Sequence, residues 1–308
     1  MNRAAAWAAL AAGLLLVSTA GPFIVLSRID PFALVLERMG LAAPLFFAWA
    51  ALRGGLAIPP GEGRRVALGG ALLAAHFLLW IKAFDLTSYA SNLLLLIAQP
   101  VVAALLGARV GEKPGRETWI GLALALAGLG IIVEGDFALG GTALLGDLLS
   151  ILAGVAISVF YLVTRRARAT MPLPSFMAWT LAAGAVVALP VVLLSGVGLG
   201  PRPVAEGAAD PFPGVPSWAW LAGLVIVTTM GGHGLMNLSA RGLRLFTVNV
   251  VIVLEPAIAI AMGVALLGET VTARQVAGGA VLAVAVVVAL LPEWRAGSAG
   301  PPPAVVPE

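Results

Sequence analysis

Few residues in this 308-residue chain could do chemistry, and their types narrow what chemistry that is. Glu255 is a carboxyl set in a long apolar run, where an ionisable group costs several kcal/mol unless it is paired or neutralised. It is therefore a candidate for holding a substrate or a proton; a protonated Glu255 bonding a neighbouring helix is the structural alternative. His76 and His233 are the only histidines. Trp80 follows the first by four residues and Asn237 follows the second by four, so each pair shares a helical face. An indole beside an imidazole offers a stacking surface and a donor, which suits an aromatic or zwitterionic ligand. Interface anchoring by Trp and helix–helix bonding by His are the competing uses. Ser88, Asn92 and Gln99 form a polar stripe, and Asn249 stands two turns before Pro256. Their amides could take a ligand's ammonium and carboxylate without fixed charge, or zip helices together. Arg38, beside Glu37 in the second turn of its apolar run, could receive a carboxylate or form an ion pair. Tyr161 and Trp179 could line a cavity or face lipid, and Lys82 can snorkel to the interface. With no cysteine and only two histidines, no metal and no cofactor are expected.

These residues need elements that hold them in an apolar medium. The chain is 60% hydrophobic and 11% charged, with a mean hydropathy of +1.03, against about 25% charged in soluble domains. This composition is that of an integral membrane protein. Ten runs approach the roughly 20 apolar residues that cross the hydrocarbon. They lie near 5–26, 32–52, 66–84, 88–108, 117–134, 143–164, 174–195, 217–239, 244–266 and 273–291. Continuous Leu, Val and Ala without period-two alternation predicts helices, not barrel strands. Residues 196–216, rich in Gly and Pro, read as a loop, and 293–308 as a disordered cytoplasmic tail. With the N-terminus inside, thirteen Lys and Arg fall on inner segments and three on outer loops, which predicts both termini cytoplasmic. The same scatter explains the net charge of +3 without a nucleic-acid partner. Reading the first run as a signal peptide would spoil that pattern and leave an odd number of spans.

Residues 76–121 recur in outline 157 positions later, placing His76 on His233, Asn92 on Asn249, Gly111 and Glu112 on Gly268 and Glu269, and Gly121 on Gly278. Around the prolines the offset is 156, which pairs Pro100 with Pro256 and Gln99 with Glu255. Two halves of five spans each have opposite orientation, an inverted repeat of the kind secondary transporters use. Gln99 and Glu255 are then expected to approach each other at the midplane. Pro100 and Pro256 interrupt their helices and are candidate hinges. Glu112 and Glu269, each beside glycine at a span end, read as structural caps for the following helix.

The segments LIAQPVVAALLGARVGEKPGRETWIGLALALAGLGIIV and VLEPAIAIAMGVALLGETVTARQVAGGAVLAVAVVVAL resemble the paired EamA repeats of the drug/metabolite transporter superfamily. The resemblance implies an all-α integral membrane protein of ten transmembrane helices. Its two inverted five-helix repeats, 1–141 and 142–292, would surround a central cavity. It also implies a gradient-driven exporter of a small metabolite, working by alternating access in a bacterial inner membrane. Consistent with a non-ATP mechanism, no G-x-x-x-x-G-K-[ST] phosphate loop is present. Within the superfamily the chain is similar to YddG-like exporters of aromatic and other neutral amino acids, with a small-molecule substrate and the lipid bilayer as partners and a monomer as the expected unit. Other substrates of the superfamily, such as drugs, nucleotide sugars or purine-like metabolites, stay open. A channel would want a continuous polar lining, and a membrane-embedded transferase would want clustered acidic metal ligands or a large polar loop. Neither is visible in the sequence, so no enzyme activity is expected. Substrate, direction and coupling ion are not readable from the residues; Glu255, His76 and His233 could carry protons, and facilitated diffusion fits as well.

Overall fold

The computed structural model describes residues 3–53, 55–96, 99, 102, 115–136, 140–202, 211–239 and 254–297. Among them the chain is helical, with one isolated bridge, Ile29 to Pro201, and no strand. The helices are α1 (Arg3–Ser18), α2 (Ala20–Ser27), α3 (Pro31–Leu52), α4 (Gly63–Ala83), α5 (Tyr89–Leu95), α6 (Arg116–Asp136) and α7 (Gly141–Val163). They continue as α8 (Arg165–Thr170), α9 (Leu173–Ser195), α10 (Ser217–Gly223), a π-helical stretch (Leu224–Gly232), α11 (His233–Ser239), α12 (Glu255–Leu267) and α13 (Ala273–Gly297).

Local chemistry starts and stops these elements. The Asp30 carboxylate accepts from the Phe32 amide at 2.9 Å, with Pro31 preset for a first helical turn, and together they open α3. Ser88 opens α5 by accepting from the Ser91 amide at 3.1 Å. Gly268 closes α12 in the left-handed region at φ 69°, where a side chain would be strained. The following α13 begins with a reciprocal capping box: the Gln275 amide donates to Thr272 Oγ1 at 3.2 Å, and the Thr272 amide donates to Gln275 Oε1 at 2.9 Å. The Thr272–Gln275 pair supplies the hydrogen-bonded cap of this helix, and Glu269 precedes Thr272 by three residues. Glu112 lies outside the described residues.

Six stretches among the described residues are long and apolar enough to cross a bilayer: Ala4–Ser27, Pro31–Leu52, Gly63–Ala83, Gly141–Val163, Leu173–Ser195 and Ser217–Met236. Trp119–Gly135, Glu255–Leu267 and Ala273–Ala289 are shorter apolar helices. The fourth and ninth expected spans are described only in part, as α5 and α12.

Packing joins the front half of the chain to the back half. α3 lies along α9, α4 along α7 and α9, α6 along α13, and α1 along α11 and the π-helical stretch. The α6–α13 contact is made through small residues, since helices in lipid gain most from close backbone approach. A Cβ on Gly121 would stand 2.7 Å from the Ala285 carbonyl oxygen, and one on Gly278 would stand 2.8 Å from that of Gly128. Gly121 meets Ala285 and Ala289, and Gly278 meets Gly128 and Ile132. Each residue of one set lies 157 positions from its counterpart in the other, the spacing of the sequence repeat.

Charged pairs sit at the ends of this bundle. Arg202 pairs with Asp30, and Gly200 N–H donates to Glu37 at 2.5 Å, which straps the long loop to the start of α3. Elsewhere the buried Glu62 carboxylate takes Arg65 at 2.9 Å and Arg166 at 3.1 Å, joining α4 to α8.

Candidate functional site

Arg38 anchors the site. Only 1% of it is exposed, although it had been expected near the outer edge of its span. Its neighbour Glu37, about 100° away around the helix, turns out toward Gly200, so no local Glu37–Arg38 pair forms. Arg38 instead points into the bundle. The centre of its guanidinium lies 4.1 Å from the Phe77 ring centroid of α4, a desolvated cation–π contact. Its Nε donates to Thr229 Oγ1 at 3.1 Å, in the π-helical stretch. Its Nη1 is buried with no hydrogen-bond partner.

His76 precedes Phe77 on α4. Its Nδ1 lies 3.0 Å from the Ala153 carbonyl oxygen of α7; a carbonyl only accepts, so Nδ1 carries a proton and donates it there. The imidazole stacks on Trp80 with centroids 5.9 Å apart and planes 12° apart, as the spacing of four predicts. Trp80 Nε1 is buried without a hydrogen-bond partner. Arg38 interacts electrostatically with Glu255, His76 and His233, and the two histidines with each other. Tyr161 interacts with Glu255 and places its ring 5.0 Å from the Arg168 guanidinium. The fold thus brings Arg38, His76, Trp80, His233 and Glu255 together, whereas Tyr161 is 39% exposed and packs against Arg168.

Other candidates lie elsewhere. Asn92 is spent on packing: its Nδ2 donates to the Trp80 carbonyl oxygen at 3.2 Å and its Oδ1 meets Ser150 Oγ at 2.6 Å. Both ends of its amide thus take part in interhelical bonds, one to the helix that carries Trp80 and one to α7. The Gln99 carbonyl oxygen accepts from Ser158 at 3.1 Å, and no hydrogen bond joins Gln99 to Glu255 among the described residues. Trp179 is a peripheral residue; its indole donates to the Leu56 carbonyl oxygen at 2.9 Å and its ring meets Phe47 edge-on, 36% exposed. Glu255 and Pro256 open α12 instead of standing inside it, so Pro256 takes the first-turn position where its missing N–H breaks no bond. The Glu255 carbonyl oxygen accepts from Ser18 at 3.4 Å. Asn237 falls on α11, and Asn249 and Pro100 lie outside the described residues.

Two contributors escaped the sequence. Phe77 looked like one more apolar residue of α4, and Thr229 like a neutral member of an apolar run. The only signal was the polar, small patch Thr228, Thr229, Met230, Gly231, Gly232 in an otherwise Leu/Val/Ile stretch, which is where the π-helix forms.

The helical bundle has counterparts among known proteins. The sequence pattern of the EamA-like transporter family matches residues 3–134 and, a second time, residues 144–291. The chain belongs to the EamA-like transporter family. Two uncharacterized transporters of Archaeoglobus fulgidus are similar to it. One is 26% identical over 254 residues, 82% of this chain and 84% of the relative; the other is 30% identical over 188 residues, 58% and 64% respectively. A protein of known crystal structure shares the fold, with a TM-score of 0.62 at 19% identity over 94% of this chain and 98% of that one. This EamA-family chain is a multi-pass membrane transporter.

Proposed function

We propose that this transporter exports amino acids, aromatic and other neutral ones, or closely related small metabolites, by alternating access. The observation that carries the reading is Arg38: a fully buried guanidinium, held on one face and one edge, with Nη1 unpartnered. A buried donor without a partner is costly, and a substrate carboxylate would satisfy it with a charge-assisted bond. Glu255, within electrostatic reach of Arg38, is the complementary group for a substrate ammonium. The His76–Trp80 stack beside Phe77 offers an aromatic side chain a surface of the right chemistry, and Trp80 Nε1 a donor. Together these match the three parts of an aromatic zwitterion. His233, in electrostatic reach of Arg38, completes the polar surround.

The architecture in this reading is two inverted five-helix repeats, 1–141 and 142–292, giving ten spans with both termini cytoplasmic in a bacterial inner membrane. Supporting it are the thirteen-to-three distribution of basic residues, the family match in each half, and the 157-residue register between the two sides of the α6–α13 contact. Pro256, in the first turn of α12, and Pro100 are the hinge candidates of this reading.

The test is uptake of radiolabelled phenylalanine and leucine into proteoliposomes, with and without a pH gradient, for wild type, Arg38→Leu and Glu255→Gln. Wild type should accumulate label above empty liposomes and Arg38→Leu should not. If no aromatic or small neutral amino acid moves, the substrate assignment is wrong. A gradient that accelerates wild type but not Glu255→Gln would make Glu255 a proton carrier; equal response would leave the process as facilitated diffusion.

A further inference from the structure

The geometry points to Thr229 as the residue that presents Arg38 to the substrate, and to the π-helical stretch as the device that aims it. This rests on Arg38 being the carboxylate-binding group. Five other hydroxyls in helices bond the carbonyl four residues back: Ser18 to Leu14, Ser150 to Gly146, Ser158 to Gly154, Thr164 to Phe160 and Thr170 to Arg166. Thr229 instead donates to the Leu224 carbonyl oxygen, five residues back, at 2.8 Å. The π-helical geometry of Leu224–Gly232 rotates position 229 relative to an α-helical register, and π-helical irregularities are frequent at functional sites. Arg38 Nε can only donate, so the bond has one polarity: the Thr229 oxygen accepts from it, and the single Thr229 hydroxyl proton goes to the Leu224 carbonyl oxygen.

That polarity decides which edge of the guanidinium is free. Nε is held by Thr229 and one face is covered by Phe77, which leaves the buried Nη1 as the donor without a partner. Without the Thr229 oxygen, Arg38 can turn about its last torsion toward Glu255 and present a different edge. The neighbouring Thr228 supplies an internal control. It lies in the same π-helical stretch and is equally buried, but its hydroxyl pairs with Thr19 Oγ1 at 2.8 Å and does not touch Arg38.

The experiment compares Thr229→Val, Thr229→Ala, Thr229→Ser and Thr228→Val in proteoliposomes, each first checked for monodispersity in detergent. For phenylalanine, Thr229→Val and Thr229→Ala should raise KM about tenfold, the loss of one charge-assisted bond, with a maximal rate within about twofold of wild type. Thr229→Ser should restore the wild-type KM. Inhibition by phenethylamine, which has no carboxylate, should be unchanged in every variant. The inference is overturned by an unchanged phenylalanine KM in Thr229→Ala, by an equal shift in Thr228→Val, or by a parallel loss of phenethylamine inhibition, which would signal general damage to the site. Arg38→Leu separates the two levels. If it transports like wild type, the substrate-site reading falls and this inference with it; if it is inactive while Thr229→Ala behaves as wild type, only the role of Thr229 falls.

Discussion

The α6–α13 contact and the Arg38 site are built on opposite principles. In the first, Gly121 and Gly278 occupy equivalent positions of the repeat and meet equivalent neighbours, so the pair is nearly its own mirror under the 157-residue shift. In the second, equivalence is absent: at the same offset Arg38 faces Ser195, Phe77 faces Gly234, Trp80 faces Asn237, and Thr229 looks back to Leu72. Only His76 and His233 are preserved. A duplicated scaffold needs matched surfaces where its halves pack, because both sides solve one packing problem. Under the proposed reading the ligand has a carboxylate at one end and an ammonium at the other, and the asymmetry of the Arg38 site matches that.

The sharpest break between the two regions should come from Arg38→Leu. Amino-acid uptake should vanish while resistance to SDS-induced unfolding stays equal or rises, because a buried guanidinium with an unpartnered Nη1 is costly and an apolar side chain removes that cost. A large drop in unfolding resistance would make Arg38 structural. Gly128→Val should do the reverse. Its side chain would meet the Gly278 carbonyl oxygen at 2.9 Å, so overpacking should cost about 1–3 kcal/mol in the same unfolding assay. KM for phenylalanine should not move, and a shifted KM would show that the helix pair belongs to the binding machinery. His76→Phe keeps the stack on Trp80 but loses the bond to Ala153, which should lower stability by about 1 kcal/mol and leave uptake reduced but measurable. Asn92→Leu is the mildest. Interhelical bonds in membranes average about 0.6 kcal/mol, so a small stability loss with a normal rate is expected, and abolished uptake would restore Asn92 as a ligand-binding residue.

Periodicity made some of this readable. The spacing of four between His76 and Trp80 predicts a shared face, and a stacked pair is what the helix delivers. Glu255 stood out because a carboxyl in an apolar run is expensive wherever the run goes. Arg38 was placed at an edge because distance from a helix end was the only depth gauge, and Phe77 and Thr229 are what hold it inside. Residue type alone leaves Trp179 either lining a cavity or facing lipid, and the bond to the Leu56 carbonyl oxygen holds it at the periphery.

Membrane residence, helical class, the duplication and the few residues able to do chemistry follow from the sequence by itself. Each is set by local composition and by the periods of 3.6 and 157 residues along the chain. The tertiary structure decided the grouping of Arg38 with Phe77, Thr229 and Glu255, and the one-residue widening of the turn that carries Thr229. A helix repeat tells which direction a side chain leaves its own axis. What stands across from it depends on a neighbouring helix up to 191 residues away, and no local period encodes that.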